Sequence, residues 1–184
     1  MFRRKNSQQA RERATEYATC KDFQQIFDEE MPGFHLLAYL LTADAAKAEQ
    51  CFVAGLDDSI HGNPVFKQWA RAWSKRAIIQ NAIKVMSPAK MRAGGQGAAT
   101  PQAGSTPPLV ALVIEWPAFE RFVFVMAVLE GYSTRECAAM LGCSDQEIIA
   151  TKSGVLQRLS ASESTSPLGK TTVWTALLAR TQVA

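Results

Sequence analysis

The sequence holds little of what most catalytic and metal-binding chemistry needs. Its 184 residues include two histidines, His35 and His61, and four cysteines, Cys20, Cys51, Cys137 and Cys143. The cysteines form no C-x-x-C pair and the histidines stand apart from other ligand types, so neither a zinc site nor a disulfide framework is expected. There is no Gly-rich phosphate loop, Ser-His-Asp set or paired carboxylate arrangement in a recognisable setting. The expectation is a chain with no catalytic residue, metal or cofactor. No run approaches the ~18 to 20 apolar residues of a membrane span. Met1 to Lys5 lead into polar residues rather than an apolar signal segment, so the expected compartment is the cytoplasm.

What is present is charge, and it is sorted along the chain. Twenty Lys and Arg stand against 17 Asp and Glu, a formal +3, with 47% hydrophobic residues. Residues 1–21 carry six basic and two acidic groups, 28–58 one basic and seven acidic, and 66–92 seven basic and none acidic. A basic stretch interleaved with aromatics suits a phosphate backbone and bases, while an acidic one suits a basic protein surface. The competing reading of each block is a solvated helix face.

The punctuation predicts an all-α chain of two small helical domains joined by a flexible linker. Residues 87–108, SPAKMRAGGQGAATPQAGSTPP, hold four of the eleven glycines and four of the eight prolines. Such a linker has a root-mean-square span of roughly 26 Å. Before it come a basic arm at 1–21 and a helical domain at 22–86. There Phe23, Ile26 and Phe27 make one helix, Pro32 opens a second with Phe34, Leu37, Leu40 and Leu41, and Asp44 caps a third with Ala48, Cys51, Phe52 and Leu56. Asp57 to Pro64 has loop composition. A fourth helix to about Val85 is expected to carry Phe66, Trp69, Trp73 and Ala77 on one side, with Trp69 read as core. Lys67, Arg71 and Lys75 fall on another side, with no acidic residue between 66 and 92 to neutralise them.

A second domain is expected over 109–160. Pro117 opens its first helix, with Phe119, Phe122, Val123, Met126 and Leu129 as the buried stripe and Gly131 as the stop. Ser133 with Glu136, and Ser144 with Glu147, give two capping-box patterns flanking a Gly142-Cys143-Ser144 turn. This spacing predicts a helix-turn-helix. A tail at 161–184 follows, with Val173, Trp174, Leu177 and Leu178 able to share one helical side.

In this order the stretches resemble the extracytoplasmic-function type of RNA polymerase sigma factor, from Asp22 to Leu159. DFQQIFDEEMPGFHLLAYLLTADAAKAEQ carries matches at Phe23, Pro32, Leu37, Leu41, Asp44, Ala48 and Glu49, and VFKQWARAWSKRAII at Phe66 and Trp69. WPAFERFVFVMAVLEGYSTRECAAMLGCSDQEI carries Pro117, Arg121, Val123, Phe124, Glu130, Gly131, Ser133, Glu136, Ala138, Leu141, Gly142, Ser144 and Ile148. The resemblance implies a sigma factor that performs no catalysis itself. Its first domain would bind core RNA polymerase through Glu49, Gln50, Val53 and Ala54 and engage the opened promoter strand with Lys67, Arg71, Lys75 and Arg76. His61 and Asn63 would lie in the loop that holds a flipped base. Its second domain would read promoter DNA as duplex through Gln146, Thr151 and Ser153, and an anti-sigma protein is a further partner.

The sequence also departs from that pattern. Gln50, Cys51, Phe52, Val53 and Ala54 replace polar residues at the polymerase contact. The recognition helix, Ile148 to Leu156, keeps a single Lys, and Lys152 falls on its core-facing stripe. Residues 109–184 carry six basic and seven acidic groups, a formal −1. Each lost phosphate contact removes roughly one unit of counterion-release slope, so weak duplex binding is expected. The alternative function is a sigma-like interaction module that binds polymerase or a regulator without reading promoters.

Overall fold

Phe23 and Phe27, one helical turn apart, define the buried side of the first helix, and the folding of the chain follows from similar local pairs. A computed structural model describes residues 16–88 and 108–165. The expected arm, linker and tail fall mostly outside these residues, at 1–15, 89–107 and 166–184. Every regular element among the described residues is helical, and the only strand-like pairing there is an isolated bridge between Tyr17 and Phe66. None of the described helices is long and apolar enough to cross a membrane. The chain divides into two compact units, Met1–Met86 and Ser87–Ala184.

In the first unit, α1 spans Cys20–Glu29 and starts at a capping box. Thr19 Oγ1 accepts from the Asp22 amide at 3.3 Å, and Asp22 Oδ2 accepts from the Thr19 amide at 2.8 Å. Two otherwise orphaned donors are thereby satisfied. Helix α2, Met31–Thr42, has Pro32 in its first turn and stops where Ala43 turns left-handed. Asp44 then caps α3, Ala45–His61, accepting from the Lys47 amide at 3.0 Å. A short 3-10 turn, Lys67–Trp69, leads into α4, Ala70–Met86.

The core of this unit is aromatic at its centre. The Phe27 ring meets Phe34 and Phe52 edge to face at 5.0 and 5.2 Å, and all three are buried. Full burial of each such side chain contributes roughly 1.5 to 3 kcal/mol. Close approach of α3 to α4 depends on Gly55, where an added Cβ would lie 2.6 Å from Ile78 Cγ1. Ser59 and Ser74 are buried in these helices and donate to their own helix carbonyls, Gly55 and Ala70, at 2.7 and 2.9 Å.

Two expectations are corrected here. Asp57 to His61 is the last turn of α3 rather than a loop, because Asp58 accepts from Asn81 Nδ2 on α4 at 2.8 Å and Ser59 bonds inward. Contact with a neighbouring helix outweighs the turn preference of Asp and Ser. The expected single helix from Phe66 also begins later. Phe66 is extended and its ring stacks on Tyr17 at 4.6 Å.

In the second unit, α5 spans Pro108–Ile114 and α6 Ala118–Phe124. Arg121 is buried and donates from one terminal nitrogen to the carbonyls of Trp116 at 2.6 Å and Ile114 at 3.4 Å. It thus covers backbone acceptors that α5 cannot use. Helix α6 widens at Val125–Leu129 into a π-helical turn, which the hydrophobic spacing does not predict, and Leu129 is only half-buried there. Helices α7, Thr134–Leu141, and α8, Asp145–Thr165, both begin at capping boxes. Ser133 and Glu136 make the first, and Ser144 and Glu147 the second, with the carboxylates accepting the cap amides at 2.9 and 2.8 Å. Gly142 sits between the helices at φ 65°, a left-handed position that suits glycine.

Candidate nucleic-acid interface

In the first unit, α4 has two sides with different uses. At about 100° per residue, Arg71 and Lys75 lie roughly 160° round the helix from Trp73, while Arg76 lies roughly 60° and Lys84 roughly 20° from it. The Arg71 guanidinium meets Glu30 at 2.7 Å and Glu29 at 3.9 Å, and Lys67 Nζ meets Asp22 at 3.2 Å. The expectation that nothing neutralises this row is therefore corrected for Lys67 and Arg71, since Asp22 and Glu29 of α1 and Glu30 just after it supply carboxylates from far away in sequence. The capping hydrogen bonds from Thr19, together with Lys67, hold the Asp22 carboxyl down at about 2. Lys75 and Arg76 are half-buried on α4.

The Trp73 side carries a pocket of about 240 Å³ lined by Asp58, His61, Gly62, Asn63, Trp73, Ala77 and Gln80. The Trp73 ring packs on Phe23, Val65 and Ala70, and its Nε1 is buried without a hydrogen-bond partner among the described residues. A buried donor left unpaired costs roughly 1 to 3 kcal/mol, so an acceptor supplied from outside would relieve it. Behind the pocket, Asn81 and Lys84 converge on Asp58, at 2.8 and 3.5 Å. At its mouth His61 Nδ1 lies 3.0 Å from Asp57 Oδ1. Asp58, Gln80, Asn81 and Lys84 are site residues that sequence reasoning missed. The i, i+4, i+7, i+11 spacing of Trp73, Ala77, Gln80 and Lys84 is the signal that places two of them, Gln80 and Lys84, on one side with Trp73.

Trp69, expected in the core, is 56% exposed, held edge to face against Phe66 at 5.2 Å. The 3-10 turn changes the angular register before α4, which carries Trp69 off the buried stripe. On α3, Glu49, Gln50 and Val53 are exposed, Val53 by 55%, and Ala54 is half-buried. They line one outer side of that helix, and Glu49 lies 3.6 Å from His35, whose ring stacks on Phe52 at 4.2 Å.

In the second unit Gln146 and Ser153 are exposed on α8 and Thr151 is half-buried. Ile148, Val155 and Leu159 are buried, whereas Ile149 is 55% and Leu156 42% exposed. Lys152 does snorkel from the core-facing stripe, and its Nζ donates to the Ala127 carbonyl in the π-helical turn at 3.4 Å. Arg158 pairs with Glu120 at 2.5 Å and lies over the Trp116 ring. Cys137 is buried and its thiol is pushed up to about 11, chiefly by desolvation with Glu136 adding to it, so it stays protonated and unreactive at neutral pH. Among the described residues no group of His, Cys, Asp and Glu is placed to hold a metal ion. No family model, curated protein or solved structure matches the chain.

Proposed function

We propose that the chain is a sigma-type transcription-initiation factor whose first unit binds core RNA polymerase and takes up an unpaired promoter base. The observation that carries this reading is an open pocket of about 240 Å³ lined by Trp73, whose buried indole N–H has no hydrogen-bond partner among the described residues. Bases offer both a ring and acceptor atoms, and single-strand binding combines such sites with nearby positive charge. Arg76 supplies that charge on the same side of α4, where Lys84 is paired with Asp58, and exposed Trp69 adds a stacking surface. In this reading Glu49, Gln50, Val53 and Ala54 form the polymerase contact. The helices α6, α7 and α8 are a helix-turn-helix joined to the first unit by the linker, and the protein works in the cytoplasm, open to control by an anti-sigma protein. The test is co-purification with core RNA polymerase followed by run-off transcription. Enrichment of polymerase subunits with promoter-dependent transcripts is expected, and no enrichment at moderate salt removes the reading.

A second reading, a sigma-like interaction module without promoter recognition, is favoured by one observation. On α8, two aliphatic side chains stand exposed where a duplex reader would carry polar or basic groups, and the one lysine of its middle turns is engaged with a carbonyl. Enrichment of polymerase without run-off product would select it.

A further inference from the structure

Helix α8 carries aliphatic side chains on two sides, one set buried and one exposed. Ile148, Val155 and Leu159 are buried against the second unit. Ile149, Ser153, Leu156 and Ser160 follow one another at i, i+4, i+7 and i+11, within an arc of roughly 60°, and both aliphatic members are exposed. Ala150, Ser153 and Ser160 around them are small, so a second helix could approach closely. We propose that the chain's own segment Val173–Leu178 docks on this stripe, antiparallel to α8.

Reach, pattern and charge all support that occupant. Thr165 ends α8, and the next seven residues, Ser166 to Thr172, include Pro167 and Gly169, which favour reversal. Seven extended residues reach up to roughly 23 Å, whereas Leu156 lies roughly 14 Å back along the helix from Thr165. Val173, Trp174, Leu177 and Leu178 then recur at the spacing of one helical side. An antiparallel return carries Arg180 toward the start of α8, where Asp145 and Glu147 are exposed. A second copy is the poorer fit, because two half-exposed aliphatic residues fall far short of the ~800 Å² per partner of a stable interface. A short tether needs much less, since its effective concentration is about millimolar.

The inference concerns the second unit alone and does not depend on the Trp73 pocket. Hydrogen exchange on the full chain, followed at two protein concentrations ten-fold apart, tests it. Amides of residues 174–178 should exchange at least about ten-fold more slowly than in an unstructured peptide, equally at both concentrations. The double variant Ile149→Ser/Leu156→Ser should abolish that protection while the amides of Phe122 to Phe124 keep theirs. Should that variant fail to fold, Trp174→Ser/Leu177→Ser, which alters none of the described residues, should abolish it instead. Unstructured exchange rates in the parent chain, protection that survives the substitutions, or protection that rises with concentration would each overturn the proposal.

Discussion

Helices α4 and α8 invite the same expectation, a helix that meets DNA, yet they are built for different contacts. Helix α4 lines a polar pocket with Trp73 on one side and holds Arg71, ion-paired with Glu30, on the other. Helix α8 presents exposed Ile149 and Leu156, and its lysine reaches inward to a backbone carbonyl. The difference teaches that positive charge in a sequence block is not available charge. Its value depends on which carboxylates or carbonyls the fold brings to it.

The contrast can be broken most forcefully at Gly55, where α3 meets α4. Gly55→Ala should destabilise the first unit by about 1 to 3 kcal/mol, because the new Cβ meets Ile78 at 2.6 Å, with chemical denaturation as the measure. If polar capture at Trp73 sets nucleic-acid affinity, Trp73→Phe keeps the ring, loses the donor, and should weaken single-strand binding by about 1 kcal/mol in a fluorescence titration. On α4, Arg76→Ala should lower the slope of log affinity against log salt by about 0.7, while Lys67→Ala in the preceding 3-10 turn, already paired with Asp22, should lower it less. Equal slopes would mean that the α1 carboxylates do not restrain Lys67.

Smaller effects sharpen the same comparison. Thr19→Ala should cost about 1 kcal/mol at neutral pH through the lost cap of α1. Since the folded Asp22 carboxyl is held at about 2, below the 3.8 of an unperturbed one, its contribution is complete above about pH 4 and fades as pH falls toward 2. The parent and Thr19→Ala should therefore converge in stability in acid. In the second unit Gly154→Ala has the opposite sign to the change at Gly55. Nothing lies within 4 Å of an added Cβ, so it should stabilise α8 by up to about 1 kcal/mol.

Features written in local chemistry were legible in the sequence. Ser133 with Glu136, Ser144 with Glu147, and Asp44 all cap helices where their spacing places them. Features that depend on distant partners were not. Asp57 to His61 has loop composition, and its helical state depends on Asn81 and Lys84, more than twenty residues away. Trp69 was misplaced because one 3-10 turn shifts the angular count, and the π-helical turn leaves no mark on hydrophobic spacing. Of the pocket, His61, Asn63 and Trp73 could be singled out individually, but their meeting with Asp58 and Gln80 requires α3 packed on α4.

The stitch between the start of α1 and the residues before α4 has a consequence for the order of folding. The Ala18 amide bonds the Val65 carbonyl at 2.7 Å and Tyr17 stacks on Phe66, so the contact closes a loop running from position 18 to position 65. Loop-closure entropy makes such a long-range contact a late one, formed after the three helices it encloses have found each other. The same contact should be among the first to open in the native state, and each opening would loosen the Phe23, Val65 and Ala70 cluster on which Trp73 rests. Access to the indole N–H would then be timed by a hinge at the margin of the unit rather than by the walls of its pocket.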